Sequence, residues 1–274
     1  AMIFPDHALA CRIEAHTAWS CLEHAHCQAQ IAPPTESQVR PIGGGWAVYC
    51  GRQSPLSKVY GIGLTDALQP DDLTAIEAWY CTRRMPIRIR LSPYTDRGTL
   101  AFLGQCGYTI SDFMDVYARQ IGIPLPFAAP AVRVTQATEA EARHWFARSG
   151  AGGDWAEPDG ITFMTIRSVL KRGSQLYLAW VDGEPVSGAA IEIHDGIAEL
   201  MAAATMPAFR GRGLHTALLH ARIAAAAAAG CDLIITHAVP GALSQKNLLQ
   251  AGFAQLYTAV VVATPGNYSE VHHD

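Results

Sequence analysis

Hydrophobic and polar positions along the chain predict helices that alternate with strands, which is typical of an α/β protein with a mixed (α+β) sheet. Residues 174–206 alternate as three antiparallel strands do, and Asp182-Gly183 and Asp195-Gly196 stand where two-residue hairpin turns belong. Around this block the pattern predicts the other elements of the second half: strands at 131–136, 231–239 and 253–264, and helices at 139–148, 161–172, 214–229 and 244–250.

The first half shows the same alternation with shorter strand-like runs. It opens with a helix that holds Ile13 and Trp19, and a second helix is predicted with Asp71 or Asp72 as its N-cap and acidic residues in its first turn. The residues "PIRIRLS" alternate apolar and basic, which predicts a half-buried strand with a solvated basic face. A docking patch for an acidic partner is the alternative interpretation of that face. The pattern also predicts strands at 45–50, 58–64 and 109–121 and a helix at 95–107.

Two stretches repeat one arrangement. "FLGQCGYTISDFMDVYAR" and "LLQAGFAQLYTAVVVAT" each place a helix, a glycine followed by an aromatic residue, and a strand in the same order. This echo predicts two diverged copies of one fold. Between them, residues 122–131 are rich in proline and break both periodicities, so we expect a linker there, with domains at 1–121 and 132–274.

Composition narrows the function classes. The net charge of -4 does not indicate a nucleic-acid surface, and no apolar run is long enough to cross a bilayer. The seven cysteines include no Cys-x-x-Cys pair, which favours reduced thiols in a cytoplasmic protein. The residues "EHAHC" look superficially like metal ligands, but His24 and His26 are two apart and point to different helix faces, so we expect no metal site.

The loop before the alanine-rich helix carries the most specific chemistry. In "RGRGLH", Gly211 and Gly213 let the backbone turn and approach a ligand closely, and the helix N-terminus presents unpaired N–H groups. Arg210 and Arg212 can add charge-assisted contacts, so the loop predicts a site for a phosphate or diphosphate. A dinucleotide-binding fingerprint is excluded because Thr216 stands where its third glycine belongs.

The stretch "ELMAAATMPAFRGRGLHTALL" resembles the acyl-CoA-binding motif of the GNAT superfamily of N-acetyltransferases, which has the form Arg/Gln-x-x-Gly-x-Gly/Ala. Arg210 and Gly213 match this motif, whereas His215 stands where the family usually has Gly or Ala. The later stretch "PGALSQKNLLQAGF" is similar to the family's next helix. The resemblance covers about residues 131–264 and implies a GNAT fold for this half of the chain.

The resemblance and the internal echo together imply two GNAT-like domains in tandem, of which the first is degenerate. At the place of the cofactor loop the first half has "GIGLTDALQPDDL", with Pro70, Asp71 and Asp72 where glycines and a base would be needed. Two carboxylates beside a diphosphate would repel it. We therefore expect cofactor binding in the second half alone.

The resemblance further implies acetyl-CoA as the cofactor. The main-chain N–H groups of the loop would hold the diphosphate, the pantetheine arm would lie along the preceding strand, and the next helix would add contacts. Carried over position by position, the cofactor-binding residues are Ala202, Ala203, Ala204, Thr205, Arg210, Gly211, Arg212, Gly213, Leu214, His215, Thr216, Ser244 and Asn247.

Family members transfer the acyl group directly to an amine in a ternary complex, so a base must take the proton of the amine. Glu199 is the first candidate for this base, Glu192 the second, and His237 could also reach the acyl site. The alternative is that the carboxylates only face solvent and that His237 is a hydrogen-bonded structural histidine. Where the family often has a tyrosine that protonates the departing thiolate, this sequence has Leu248. Tyr257, Ser244 or a water would have to supply that proton instead.

These inferences lead to a cytoplasmic N-acetyltransferase that acts on a primary amine of a small molecule or peptide. A non-catalytic CoA-binding sensor or interaction module is the alternative. We expect no nucleic-acid or membrane partner and a monomer or homodimer.

Overall fold

The computed structural model describes residues 3–150 and 160–264. They form eleven strands, seven α-helices and a few short turns of other helix types. The first half contains α1 (His7–Ile31), β1 (Gln38–Ile42), β2 (Gly45–Tyr49), β3 (Val59–Tyr60), α2 (Pro70–Cys81), β4 (Arg88–Leu91), α3 (Arg97–Gln105) and β5 (Thr109–Gln120). The second half contains β6 (Arg133–Gln136), α4 (Glu139–Ser149), α5 (Gly160–Thr165), β7 (Ser174–Val181), β8 (Glu184–His194), β9 (Ile197–Thr205), α6 (Leu214–Ala228), β10 (Leu233–Ala238), α7 (Leu243–Gln250) and β11 (Ala254–Ala263).

All eleven strands belong to one mixed sheet, in the order β1-β2-β3-β4-β11-β5-β10-β9-β8-β7-β6. The two halves exchange strands at its centre. β5 of the first half lies between β10 and β11, and β11 of the second half lies between β4 and β5, each pair being antiparallel. The last strand of each half therefore completes the sheet of the other half.

The halves share further features that the internal echo predicts. In each, a crossover helix joins two parallel strands, α2 between β3 and β4 and α6 between β9 and β10. The helices before β5 and β11 end alike: Gly107 and Gly252 have φ angles of 83° and 79°, and the N–H of the aromatic residue after each glycine bonds a helix carbonyl at 3.0 Å. A common duplicated origin of the halves stays a prediction.

Helices cover both faces of the sheet. On one face, α6 packs against Ala198 and Leu200 of β9, and α2 packs against β4. On the opposite face, α1 packs against Ile197 of β9 and Ile235 of β10, and α4 packs against β7 and β8. Because side chains alternate along a strand, neighbouring residues of β9 serve different layers. Glu199 and Met201 therefore lie on the face that α1 and α4 cover.

The hairpins that join β7 to β8 and β8 to β9 confirm the predicted two-residue turns. Asp182 and Gly183 have φ angles of 51° and 83°, and Asp195 and Gly196 have φ angles of 45° and 72°. Positive φ at both central residues is the geometry of a type I′ turn, for which Asp-Gly is a favoured pair.

Helix α1 buries an unusual number of polar side chains against the sheet. Glu14, His16, Ser20, His24 and Gln28 are all less than a tenth exposed. A buried polar group is unfavourable unless it finds a partner, so this face of the helix needs matching groups on the strands. Those groups come from both halves of the chain.

The segment predicted as a linker is packed against the second half. The guanidinium of Arg119 donates to the carbonyls of Ile123 and Pro124, and its Nε donates to the carbonyl of Ala251 at 3.1 Å. The carbonyl of Phe127 lies 3.1 Å from His220 Nε2 on α6. The division into domains at 1–121 and 132–274 stays a prediction, and both ranges include residues outside the described ones. The exchanged strands β5 and β11 cross that division.

Two local expectations were wrong. Helix α2 begins at Pro70 with Gln69 as N-cap, whose N–H donates to Asp72 at 3.3 Å, so Asp71 and Asp72 lie inside the first turn. The basic face of "PIRIRLS" is not solvated as a whole, because Arg90 is 7% exposed and binds Glu14 through two bonds of 2.8 and 3.0 Å. Sequence alternation identified the strand but not the helix that covers it.

All seven cysteines lie in the described residues and have free thiols. Within the same residues, no helix combines the length and apolar character that a membrane span requires. Nor do those residues contain a group of three or more side chains placed to hold a metal ion.

Replacing Arg90 with Met should destabilise the fold by about 3–5 kcal/mol, because Glu14 would remain buried without its cation. The free energy of unfolding in urea measures this effect. The matched control is Arg143→Met, which breaks the half-exposed Glu139–Arg143 pair on α4 and should change stability by less than about 0.5 kcal/mol. Equal effects of the two substitutions would contradict the account.

Candidate functional site

The site begins where β9 and β10 separate. The two strands pair in parallel from Ile197 and Leu233 up to Leu200 and Thr236, and Thr236 Oγ1 donates to the Leu200 carbonyl at 2.9 Å. Beyond this point both strands continue, β9 to Thr205 and β10 to Ala238, with no further pairing between them in the described structure. This gap in the hydrogen-bonded ladder between the two strands is called the cleft.

A β-bulge lies on β9 beside this cleft. The register against β8 shifts between Gly188 and Ala190, and Ala202 has a φ angle of 51°. The bulge disrupts the regular ladder at Ala202 and Ala203. Ala204 and Thr205 pair again with β8, and Thr205 Oγ1 lies 2.7 Å from the Ser187 hydroxyl.

The glycine loop connects the end of β9 to α6. Gly211 and Gly213 both have a φ angle of 76°, in the left-handed region that favours glycine. Space beside Gly211 is open, whereas a Cβ on Gly213 would lie 3.0 Å from Pro130 Cγ. The N-cap residue of α6 is Gly213, which has no side chain, and no other side chain among the described residues caps this N-terminus.

The side chains around this loop leave it accessible. Arg210 and Arg212 are exposed, and their bonds to carbonyls of Thr205 and Ala208 are long, at 3.4 and 3.5 Å. His215 is also exposed, Thr216 is half-buried, and Leu214 packs into the core under the helix. An uncapped helix N-terminus with two available guanidinium groups fits a diphosphate.

Glu199 and His237 form a pair at the point of divergence. Glu199 on β9 is 5% exposed, and its Oε1 lies 3.1 Å from His237 Nδ1 on β10. Burial by itself raises the pKa of a carboxyl, but His237 and His16 beside it hold the pKa of Glu199 well below its usual range. A carboxylate that holds Nδ1 leaves Nε2 as the ring atom for proton transfer, and this Nε2 is buried without a hydrogen-bond partner among the described residues.

The other two candidate catalytic residues lie on the same face of the sheet but are engaged. Glu192 is directly opposite Glu199 in the β8–β9 register, and its Oε2 lies 2.6 Å from Lys171 Nζ and accepts from the Ser20 hydroxyl at 2.9 Å. The hydroxyl of Tyr257 donates to Glu14 Oε1 at 2.9 Å. Burial and the adjacent Glu14 carboxylate raise the pKa of Tyr257 above its usual value.

Helix α7 presents the remaining predicted cofactor contacts at the surface. Ser244 and Asn247 are exposed. Leu248, at the position where the family often has a tyrosine, is half-buried and packs against the core under α6. The site therefore has no tyrosine at that position.

Sequence reasoning missed two contributors, His16 of α1 and Lys171 of the turn before β7. His16 Nε2 lies 3.5 Å from Glu199 Oε2. The sequence carries one indirect signal for both, because α1 has polar residues on the same face as Ile13 and must meet polar partners when that face is buried. Nothing in the sequence indicates which partners these are.

Residues 137–253 match the model of the acetyltransferase (GNAT) family. No curated protein matches the sequence. Similar solved structures include a GCN5-related N-acetyltransferase from Kribbella flavida, 20% identical with a TM-score of 0.61, which covers 89% of this chain and 95% of that one. A GCN5-related N-acetyltransferase from Sphaerobacter thermophilus is 14% identical with a TM-score of 0.56, covering 84% of this chain and 77% of that one. A tandem GNAT protein from the clavulanic acid biosynthesis pathway is 14% identical with a TM-score of 0.60, covering 89% of each chain.

The chain therefore has the GNAT fold, as the sequence motif predicted, and residues 137–253 are similar to acetyltransferase domains of that family. Enzymes of the family use acetyl-CoA. Whether the first half is a degenerate copy stays a prediction.

Proposed function

We propose that the protein is an acyl-CoA-dependent N-acyltransferase that transfers acetyl from acetyl-CoA to a primary amine. The observation that supports this most directly is the Glu199–His237 pair, 3.1 Å apart, at the point where β9 and β10 diverge. A buried carboxylate that orients an imidazole is a common arrangement for a general base.

The predicted cofactor-binding residues would each contact a different part of acetyl-CoA. The N–H groups of residues 211–216 and the guanidiniums of Arg210 and Arg212 would hold the diphosphate, and the bulged part of β9, residues 202–205, would lie beside the pantetheine arm. Ser244 and Asn247 face solvent on α7 and are available for the remaining contacts. Bound in this way, acetyl-CoA supplies an activated thioester carbonyl at the cleft.

His237 would then act as the base. Its Nε2 takes the proton that the amine nitrogen loses as the new C–N bond forms, while Glu199 holds Nδ1 and favours the protonated ring. The C–S bond breaks in the same reaction, and the products are an amide and free CoA. Since the Tyr257 hydroxyl is committed to Glu14 and Glu192 to Lys171, we assign neither of them a proton-transfer step.

The acceptor is a primary amine of a small molecule or a peptide. Consumption of the thioester with a panel of amines tests the proposal. Turnover with at least one amine is the expected result. Tight CoA binding with no turnover of any amine would favour a non-catalytic CoA-binding module instead.

His237→Gln should lower kcat by about 10²–10⁴-fold, which is the usual contribution of a general base, with CoA affinity unchanged. Steady-state kinetics and calorimetry measure the two quantities. His220→Gln is the matched control, because His220 lies on α6, on the other face of the sheet, where its ring contacts the Phe127 carbonyl. The assignment fails if both substitutions reduce kcat equally.

Gly213→Ala should weaken CoA binding more than Gly211→Ala does. Both substitutions place alanine at a φ of 76°, but only the Cβ at position 213 meets Pro130, at 3.0 Å. We expect about a tenfold loss for Gly211→Ala from backbone strain and about a 100-fold loss for Gly213→Ala, measured as CoA dissociation constants by calorimetry. An unchanged affinity for CoA in Gly213→Ala would mean that the loop is not part of the binding site.

A further inference from the structure

The bulge on β9 contains a strained residue. Ala202 has a φ angle of 51°, in the left-handed region that a residue with a Cβ rarely adopts. Gly188 of β8 pairs with Ala204 and Ala190 pairs with Met201, so two residues of β9 lie opposite one residue of β8. Strain of this kind persists only where the surrounding structure excludes a relaxed arrangement. The groups that exclude it must therefore belong to the elements packed around the bulge.

Ser187 of β8 holds the end of the bulge that leads to the glycine loop. Its side chain is fully buried, and its hydroxyl donates to the Ala204 carbonyl at 2.9 Å. The same hydroxyl lies 2.7 Å from Thr205 Oγ1, and Ser187 and Thr205 are partners in the strand register. One buried side chain thus fixes the part of β9 that follows the bulge.

Arg222 of α6 lies at the other end of the bulge and is 2% exposed. Its Nη1 donates to the Ala190 carbonyl at 3.1 Å, and its Nε donates to the Leu218 carbonyl of its own helix at 3.2 Å. Ala190 is the residue of β8 at which pairing with β9 resumes. Arg222 therefore ties the helix that follows the glycine loop to the strand beside the bulge.

The charge of Arg222 is not explained by stability. Burial lowers the pKa of its guanidinium to about 9, and the described residues supply no acidic group that offsets this effect. A buried cation without a counter-ion is unfavourable for folding, so an apolar side chain would serve the core better. What Arg222 adds is a donor that reaches the Ala190 carbonyl across the space between helix and sheet.

We propose that Ser187 and Arg222 are positioning residues that hold the bulged part of β9 in the shape that receives the pantetheine arm of the carrier. This inference rests on the proposed binding of acetyl-CoA along residues 202–205. The two side chains act through the main chain of β8 and β9 and do not contact the carrier. The glycine loop binds the diphosphate separately, so the two parts of the site respond differently to substitution.

Calorimetry with two ligands separates these parts. CoA carries both the nucleotide and the pantetheine arm, whereas 3′-phospho-ADP carries the nucleotide with its diphosphate and no arm. Ser187→Ala and Arg222→Met should each weaken CoA binding by about tenfold, which corresponds to the loss of one or two hydrogen bonds. Binding of 3′-phospho-ADP should change by less than about twofold. Equal losses for both ligands would overturn the inference.

The matched control is Arg119→Met. Arg119 is 1% exposed and also donates only to main-chain carbonyls, those of Ile123, Pro124 and Ala251, but it lies on β5 against the segment predicted as a linker. This substitution should lower the melting temperature and leave both affinities unchanged. A selective loss of CoA affinity in Arg119→Met would contradict the inference.

Arg222→Lys is a second variant, which keeps the positive charge in case Arg222→Met does not fold. A lysine has no planar fork of donors, so it can retain only one of the two carbonyl bonds. We expect a loss of CoA affinity of about threefold, again with 3′-phospho-ADP unaffected. Wild-type affinity for CoA in Arg222→Lys would mean that the charge, and not the bond to Ala190, is what matters, and would overturn the positioning role.

Ala202→Gly tests the strain directly. Glycine adopts a φ angle of 51° without a steric penalty, so the bulge then needs less support from its neighbours. In the Ala202→Gly background, the loss of CoA affinity caused by Arg222→Met should fall from about tenfold to about threefold or less. An undiminished loss in that background would contradict the inference.

These outcomes distinguish the inference from the proposed function. Turnover of an amine together with equal losses for both ligands would overturn the positioning role and leave the transfer reaction intact. CoA binding without turnover of any amine would count against the transfer reaction, and the ligand-selective losses would still support the positioning role. A wild-type protein that binds neither ligand would overturn both.

Discussion

The exchange of β5 and β11 at the centre of the sheet is the constraint on which the rest of the structure depends. Each half ends in a strand that pairs inside the other half, so neither sheet is complete alone. Strand β10, which borders the cleft on one side, therefore pairs on its other side with β5 of the first half. A continuous sheet keeps the loop and the Glu199–His237 pair in a fixed relation, which the proposed acyl transfer between two bound substrates would require.

Helix α1 makes use of this continuity. It lies across strands of both halves, and its buried polar side chains bind partners from each half. Arg90 of the first half binds Glu14. Glu192 and Lys171 of the second half bind the Ser20 hydroxyl. Buried ion pairs of this kind contribute little net stability but strongly disfavour any arrangement in which one partner is missing. They therefore fix where α1 lies on the sheet, and with it the position of His16 beside Glu199.

Local features could be predicted from the sequence, and long-range pairings could not. The Asp-Gly turns, the helix after the glycine loop and the helix–Gly–aromatic–strand echo depend on neighbouring residues, and all were identified. The insertion of β5 beside β10 depends on residues more than a hundred positions apart, and periodicity does not encode which strands are adjacent. For the same reason Glu199 could be singled out as a candidate, but neither its contact with His16 nor the burial of Arg90 could.

Native-state hydrogen exchange measured along a denaturant series tests most directly whether the two halves form one unit. Amides of the three central strands, at Val116 of β5, Ile235 of β10 and Ala259 of β11, should open with the same free energy and the same denaturant dependence, equal to those of global unfolding. Separate opening energies for β4 and β11 on one side and β9 and β10 on the other would contradict the account, because the halves would then unfold independently.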